Sequence, residues 1–220
     1  MFDAEAARRA MVDSQIRVND VTGHALLAAF SHVPRELFVP KADRTIAYGD
    51  MDLPLGNGRF MLKPRDMAKL MQGVDVQPSD LVLIVGAGRG YGAAVLSQMA
   101  ETVVALEQSA TLAAAASASL EAVGADNVAV IEGDLRAGVP DQGPYDVILV
   151  NGAVSAVPNT WLSQLAEGGR LGVFVRDSAA GHADVYLKAD GQTGCRTAFD
   201  ANVPFLPGFA PQKTFVFDAA

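Results

Sequence analysis

The chain has 220 residues, half of them hydrophobic, which is enough to bury one substantial core and short for two full domains. Its formal net charge is -8 at pH 7, so nucleic acid is not expected as a partner, because phosphate groups repel an acidic protein. The single cysteine, Cys195, excludes an internal disulfide and is typical of a protein in a reducing cytoplasm.

The N-terminal part is expected to be helical and to end in an irregular loop. Apolar residues recur at helical spacing over residues 3–40, with a break at Val33-Pro34. The first residues carry acids where a signal peptide has basic residues, and no apolar run approaches the roughly 20 residues that cross a bilayer. Residues 41–64 are rich in Gly, Pro and Asp, which favours a loop.

From residue 65 onward, strand-like and helix-like segments alternate. The apolar runs are 81–85, 102–106, 128–131, 145–150, 170–175 and 213–217, and Ala-rich helical stretches such as 92–100 and 110–123 lie between them. This alternation predicts an α/β fold: a Rossmann-like, doubly wound, mostly parallel sheet with helices on both faces. We expect one compact unit, in which residues 1–64 extend a Rossmann-like domain of residues 65–220.

A glycine turn directly follows the first predicted strand of the Rossmann-like part. Gly86, Gly88 and Gly90 are spaced Gly-x-Gly-x-Gly, and not as the Gly-x-Gly-x-x-Gly of a pyrophosphate binder. Glycine there lets the backbone approach a ligand, because a Cβ would obstruct it. Glu107 ends the next strand, at a spacing from which an acid reaches ribose hydroxyls. The pattern predicts a nucleoside ligand without a diphosphate, of which S-adenosylmethionine is the commonest.

Further candidates lie where the other strands end, since ligands of open sheets bind beyond the carboxyl ends of the strands. Asp134 is expected to accept a hydrogen bond from the adenine amine. The ordinary alternatives are that the glycines only make tight turns, that Glu107 is a solvated strand end, and that Asp134 is a helix N-cap. The predicted cofactor-binding residues are Gly86, Ala87, Gly88, Gly90, Tyr91, Glu107, Gln108, Asp134, Leu135 and Asn151.

Several motifs resemble the protein-L-isoaspartate O-methyltransferase family. The N-terminal matches are Met11-Val-Asp-Ser-Gln-Ile16 and Val33-Pro-Arg-Glu-Leu-Phe-Val-Pro40, and the Rossmann-like matches include Gly86-Ala-Gly-Arg-Gly-Tyr-Gly-Ala-Ala-Val-Leu96 and Tyr145-Asp-Val-Ile-Leu-Val150. The resemblance implies a cytoplasmic enzyme that moves a methyl group from S-adenosylmethionine to an isoaspartyl carboxylate of a peptide or protein. The methyl ester then closes to a succinimide, which starts repair.

This chemistry explains why the sequence shows no catalytic triad. A carboxylate is already ionised at neutral pH, so it needs no general base, and catalysis consists of positioning the reactants. No metal site is expected either, because His24, His32 and His182 lie in no metal-ligand spacing.

The substrate loop departs from the family pattern. The family's Gly-Gln-Thr-Ile-Ser-Gln-Pro aligns with Gly58-Arg-Phe-Met-Leu-Lys-Pro64, so Phe60 and Leu62 replace the Thr and Ser whose hydroxyls help to hold the substrate. Each lost hydrogen bond to a charged substrate costs about 1.5–3 kcal/mol. Arg59 or Lys63 is the candidate for binding the substrate carboxylate instead.

The cofactor loop departs as well. Ile84 lies where the family has an acid, and Arg89 lies where it has a small uncharged residue, so the local charge is up to two units more positive. Like charge near the cationic cofactor is expected to weaken its binding, unless Arg89 pairs with the cofactor carboxylate or points to solvent. Leu135 also replaces a family glycine.

Two hypotheses follow. The chain is a methyltransferase that acts on an isoaspartyl or another carboxylate, or it is a divergent relative that binds a nucleoside or a protein partner without isoaspartyl methylation. A nicotinamide-dependent dehydrogenase is disfavoured by the glycine spacing.

Overall fold

The computed structural model describes residues 2–177 and 180–211, and these contain six α-helices and nine strands. The helices are α1 (Ala4–Met11), α2 (His24–His32), α3 (Pro64–Val74), α4 (Tyr91–Ser97), α5 (Ala110–Ala122) and α6 (Asn159–Ser163). The strands are β1 (Leu53–Gly56), β2 (Arg59–Met61), β3 (Leu81–Val85), β4 (Thr102–Glu107), β5 (Val128–Glu132), β6 (Tyr145–Val154), β7 (Leu165–Arg176), β8 (Gly181–Ala189) and β9 (Gln192–Asp200).

Seven of the strands form one sheet in the order β5-β4-β3-β6-β7-β8-β9. The pairs from β5 through β7 are parallel, whereas β8 and β9 are antiparallel to their neighbours. The chain winds outward from β3 to β5 and then returns to place β6 against the other side of β3. The winding direction therefore reverses between β3 and β6, which is where open sheets bind ligands. The predicted mostly parallel, Rossmann-like fold is confirmed.

The central strands are buried on both faces, which explains their continuous apolar runs. In β3, Val82 and Ile84 pack with the helices α3, α4 and α5, while Leu83 and Val85 pack against the opposite face with Trp161 of α6. Successive side chains of a strand point to opposite faces, so one apolar segment serves both layers.

The N-terminal part is helical, as predicted, but it is not one continuous helix. Asp3 caps α1 by accepting the N–H of Ala6, and residues 12–19 continue as a π-helical and then a 3₁₀ turn. The helix α2 ends at His32, just before the predicted break at Val33-Pro34. Buried residues of this part belong to the same apolar cluster as α3 and α4.

The hairpin of β8 and β9 was not predicted. Its turn is Asp190-Gly191, both at positive φ (51° and 72°), which is the backbone of a tight two-residue hairpin. Most of β9 is exposed, so it lacks the apolar alternation by which a half-buried strand is found. The strand predicted over 213–217 lies outside the described residues.

Candidate functional site

The glycine turn after β3 is held against the end of β4. The N–H groups of Gly86 and Ala87 both donate to the carbonyl of Leu106, at 2.8 and 2.9 Å. Gly86, Gly88 and Gly90 have φ of 77°, 61° and 93°, a left-handed backbone that residues with a Cβ rarely adopt. The turn thus brings its backbone to the reversal point between β3 and β6.

The three glycines have different neighbours. A Cβ at Gly90 would lie 3.3 Å from Cβ of Ala116, so this glycine lets α4 pack closely on α5. A Cβ at Gly88 would lie 3.0 Å from Cδ1 of Leu55 on the β1–β2 hairpin. A Cβ at Gly86 would lie 2.6 Å from the Arg59 guanidinium, so a side chain at this position would require Arg59 to shift.

Glu107 is fully buried at the end of β4. One carboxylate oxygen, Oε2, accepts the N–H of Gly88 at 2.7 Å and Nε of Arg59 at 3.3 Å. The other oxygen, Oε1, accepts the N–H of Ser109 at 3.1 Å. A buried charge is tolerated only when it is paired and hydrogen-bonded, and this carboxylate has both kinds of partner. The alternative that Glu107 is a solvated strand end is wrong, because its side chain has no exposed surface.

Arg59, the first residue of β2, extends its side chain into this site and is 2% exposed. Its Nη2 donates to the carbonyl oxygen of Gly86 in a short contact and to that of Asn151 at 3.3 Å. Burial lowers the pKa of the Arg59 guanidinium, and the charge of Glu107 opposes that shift. The sequence does not predict this pair, because 48 positions separate the two residues. The signal in its favour is that a buried acid needs a cation as partner.

Asn151 of β6 completes the site on the other side of the glycine turn. Its Nδ2 donates to the carbonyl of Gly86 at 2.9 Å, whereas its buried Oδ1 has no hydrogen-bond partner among the described residues. The turn, Glu107 and Asn151 therefore meet, as predicted from the strand ends.

The remaining predicted cofactor residues are arranged less uniformly. Asp134 is exposed, and its Oδ1 accepts the N–H of Arg136 at 3.0 Å, which makes it a turn-capping residue. Leu135 is fully buried, and its carbonyl accepts Nε1 of Trp161 at 2.7 Å. Gln108 is exposed beside Glu107, and Ala87 is buried.

Tyr91 begins α4 and is 2% exposed. Its ring packs edge-on against Phe30 and Phe38, and the guanidinium of Arg35 lies 4.7 Å from the ring centroid. Burial raises the pKa of Tyr91. This residue links the glycine turn to the N-terminal helices.

The stretch aligned with the family's substrate loop contains β2, the second strand of the β1–β2 hairpin, and the residues that lead into α3. Leu62 is 2% exposed and packs in the apolar core, while Phe60 is half-buried. The Lys63 ammonium is partly exposed and lies 3.2 Å from Oδ2 of the buried Asp66. Burial raises the pKa of Asp66, and the Lys63 charge opposes that rise.

Ile84 and Arg89 occupy different surroundings. Ile84 is fully buried in β3 and packs towards α4, since a Cβ at Gly92 would lie 2.8 Å from its Cδ1. Arg89 is half-buried and lines a small enclosed space together with Leu55 and Met61. Within the described residues, no group of three or more His, Cys, Asp or Glu is placed to hold a metal ion.

The acceptors gathered here fit the donors of S-adenosylmethionine. A carboxylate, two carbonyl oxygens and the unpartnered Oδ1 of Asn151 surround the glycine turn, and the ligand supplies an ammonium and two ribose hydroxyls. Arg59 holds three of those acceptors in this conformation.

Comparison with known proteins identifies the family. Residues 6–208 match the family model of protein-L-isoaspartate(D-aspartate) O-methyltransferase. The chain belongs to this family. A protein-L-isoaspartate O-methyltransferase of Methanoregula boonei is 44% identical over 184 residues, which cover 84% of each chain. One of Roseiflexus castenholzii is 40% identical over 206 residues, which cover 94% of this chain and 93% of the relative.

Solved structures of protein-L-isoaspartate O-methyltransferases have the same fold. One is 29% identical with a TM-score of 0.80, over 92% of this chain and 67% of the other. A Plasmodium falciparum protein of the same description, in complex with S-adenosyl-L-homocysteine, has a TM-score of 0.78 at 18% identity, over 93% of this chain and 98% of the other.

Membership of the protein-L-isoaspartate O-methyltransferase family confirms the predicted class of enzyme. The chain is an S-adenosylmethionine-dependent O-methyltransferase by family, and this supports the main hypothesis over a relative that binds a nucleoside or a protein partner without isoaspartyl methylation. In the part of the chain that the structure covers, no helix is long and apolar enough to cross a membrane.

Proposed function

We propose that this chain methylates isoaspartyl carboxylates of peptides or proteins, with S-adenosylmethionine as the donor. The observation that carries the proposal is the meeting of Glu107, the glycine turn and Asn151 at the reversal point of the sheet. Its acceptors suit a ligand that brings an ammonium and ribose hydroxyls, and family membership supplies the reaction.

The residues at this site have distinct proposed roles. Glu107 binds the ribose hydroxyls, because it is the buried carboxylate next to the glycine turn. The turn glycines admit the ligand to their backbone, and Asn151 offers its unpartnered Oδ1 to a donor. We assign the adenine amine to Asp134, whose exposed carboxylate follows the third strand of the sheet. The bound cofactor supplies an activated methyl group, so the protein has to orient an already ionised carboxylate.

Lys63 is the better candidate for the acceptor carboxylate. Its ammonium is partly exposed on the substrate loop, whereas Arg59 is buried against Glu107. The positive charge of Lys63 would attract the substrate carboxylate. It would thereby replace the hydroxyl donors of the family's Thr and Ser, where this chain has Phe60 and Leu62. Leu62 has no hydroxyl and packs in the core, so the proposed reaction uses no hydroxyl at that position.

The test is methyl transfer to an isoaspartyl peptide and to the same peptide with a normal aspartyl residue. We expect labelled methyl groups on the first peptide alone. Lys63→Gln should raise KM for the peptide about tenfold, in keeping with one lost charge-assisted hydrogen bond, and should leave KM for S-adenosylmethionine unchanged. Sound cofactor binding without transfer to the isoaspartyl peptide would refute repair activity and favour another acceptor.

Partner, compartment and domain organisation are part of the proposal. We propose a peptide or protein substrate, no nucleic-acid or membrane partner, and a cytoplasmic location, which the net charge of -8 and the exposed free thiol of Cys195 support. We also propose that residues 1–64 and 65–220 form one unit, since a shared apolar cluster runs through the described parts of both.

A further inference from the structure

Arg59 forms contacts that a bound cofactor would also need. Its Nε reaches Oε2 of Glu107 at 3.3 Å, and its Nη2 reaches the carbonyl oxygens of Gly86 and Asn151. These groups are acceptors only, so each can serve the guanidinium or a donor of the ligand. The side chain is 2% exposed and the carboxylate is fully buried.

The space over the glycine turn is filled as well. A Cβ at Gly86 would lie 2.6 Å from Nη2 of Arg59 and 2.9 Å from Cδ2 of Leu206. The two side chains therefore cover Gly86 from the hairpin side and from the C-terminal segment. A ligand that approaches the backbone of Gly86 has to displace the guanidinium.

The hairpin itself need not move for this to happen. Nδ2 of Asn57, at the tip of the hairpin, donates to Oγ of Ser109 at 2.9 Å, which holds the tip against the residues that follow Glu107. The Arg59 side chain has a flexible stem of several rotatable bonds, so it can leave Glu107 while the backbone of β2 stays in place.

We infer that Arg59 is an internal competitor of the cofactor. Its guanidinium occupies the acceptors of Glu107, Gly86 and Asn151 until the donors of S-adenosylmethionine displace it. This inference rests on the proposed function. Arg59 thereby sets the affinity for the cofactor, because the binding-competent state is only the fraction of molecules in which its side chain has left. It is a positioning residue that neutralises the Glu107 carboxylate, and it takes no part in methyl transfer.

The test is calorimetric titration of S-adenosylhomocysteine into wild-type protein, Arg59→Gln, Arg59→Lys and Arg17→Gln. We expect Arg59→Gln to bind at least ten times more tightly than wild type, because a neutral amide competes weakly for a carboxylate. The affinity of Arg59→Lys, which keeps the charge but has fewer donors, should lie between those of wild type and Arg59→Gln. Arg17→Gln should bind like wild type, since it removes the same charge from an exposed ion pair with Asp13.

The KM for S-adenosylmethionine separates competition from a merely structural role. In Arg59→Gln, this KM should fall along with the dissociation constant of S-adenosylhomocysteine. Loss of a structural contact would loosen the site and raise that KM. Should Arg59→Gln fail to fold by circular dichroism, Arg59→Lys carries the test, with an expected gain in affinity of at least threefold.

The outcomes distinguish this inference from the proposed function. Binding to wild type with no gain in the folded Arg59 variants overturns the inference and leaves the proposed function intact. Binding to Arg59→Gln alone supports the inference. Absence of binding to both folded proteins at millimolar ligand overturns the proposed function and the inference together.

Discussion

Arg35 offers the clearest test of how the N-terminal part holds the substrate loop. It is fully buried, its Nε donates to the carbonyl of Ala47 at 2.7 Å, and its Nη2 donates to that of Leu62 at 2.8 Å. Burial lowers the pKa of its guanidinium, and the neighbouring Tyr91 opposes that shift. One side chain thus joins two loops to α4, the helix that begins at the glycine turn.

Replacing Arg35 with Met removes both charged donors and keeps much of the apolar stem. Each such hydrogen bond contributes about 1.5–3 kcal/mol, for a gross loss of about 3–6 kcal/mol. Removing a buried cation returns part of its desolvation cost, so we expect the free energy of unfolding to fall by about 2–4 kcal/mol. Arg35→Lys should recover part of this, because one ammonium reaches two separated carbonyls less well than a planar guanidinium.

Urea denaturation measures the effect, with Arg17→Met as the matched control. The Arg17 side chain is 56% exposed, so its replacement should change the free energy of unfolding by at most about 0.5 kcal/mol. A loss below about 1 kcal/mol in Arg35→Met, with an unchanged m-value, would show that the two carbonyls find other partners and that Arg35 does not anchor the loop.

Two further predictions concern the glycine turn and the loss of folding stability at alkaline pH. Gly88→Ala should weaken S-adenosylhomocysteine binding at least tenfold in a calorimetric titration, since the methyl group meets Leu55. The control Gly191→Ala has a similar left-handed φ in open space and should bind like wild type. Burial raises the pKa of Tyr145 from 10.0 to about 12, so its folded state favours the neutral phenol. That stabilisation is complete below pH 10 and is lost as the pH rises through about 12. Over this range the free energy of unfolding of wild type should fall by about 1–3 kcal/mol more than that of Tyr145→Phe. Parallel pH profiles of the two proteins would contradict the assignment.

The sheet could be predicted because its central strands are buried on both faces. The runs 81–85 and 102–106 lie within β3 and β4, and the glycine turn and Glu107 follow from where those strands end. The exposed β9 carries no comparable apolar pattern, and only the Asp190-Gly191 turn marks its hairpin. Apolar periodicity reports burial, so an exposed strand escapes it.

The candidate site could be predicted in its glycine turn, its acid Glu107 and Asn151, but not in the cation that pairs with the acid. The glycine spacing placed the turn and Glu107 together, but the identity of the partner that neutralises Glu107 depends on tertiary packing. Arg59 lies on a hairpin far away in sequence and was expected to bind substrate, whereas the structure places its side chain at the carboxylate. Leu62 likewise stands at a substrate position of the family and packs in the core.

The ion pair of Arg59 with Glu107 affects how measured ligand binding is interpreted. A ligand usually raises the melting temperature because it adds contacts that the empty protein lacks. Here it would exchange one set of donors for another on the same acceptors, so the rise reflects only the difference between the two. The apparent dissociation constant contains the same exchange, so a thermal shift and a direct titration report the same net affinity. Only a comparison of wild type with Arg59→Gln separates recognition of the ligand from displacement of Arg59.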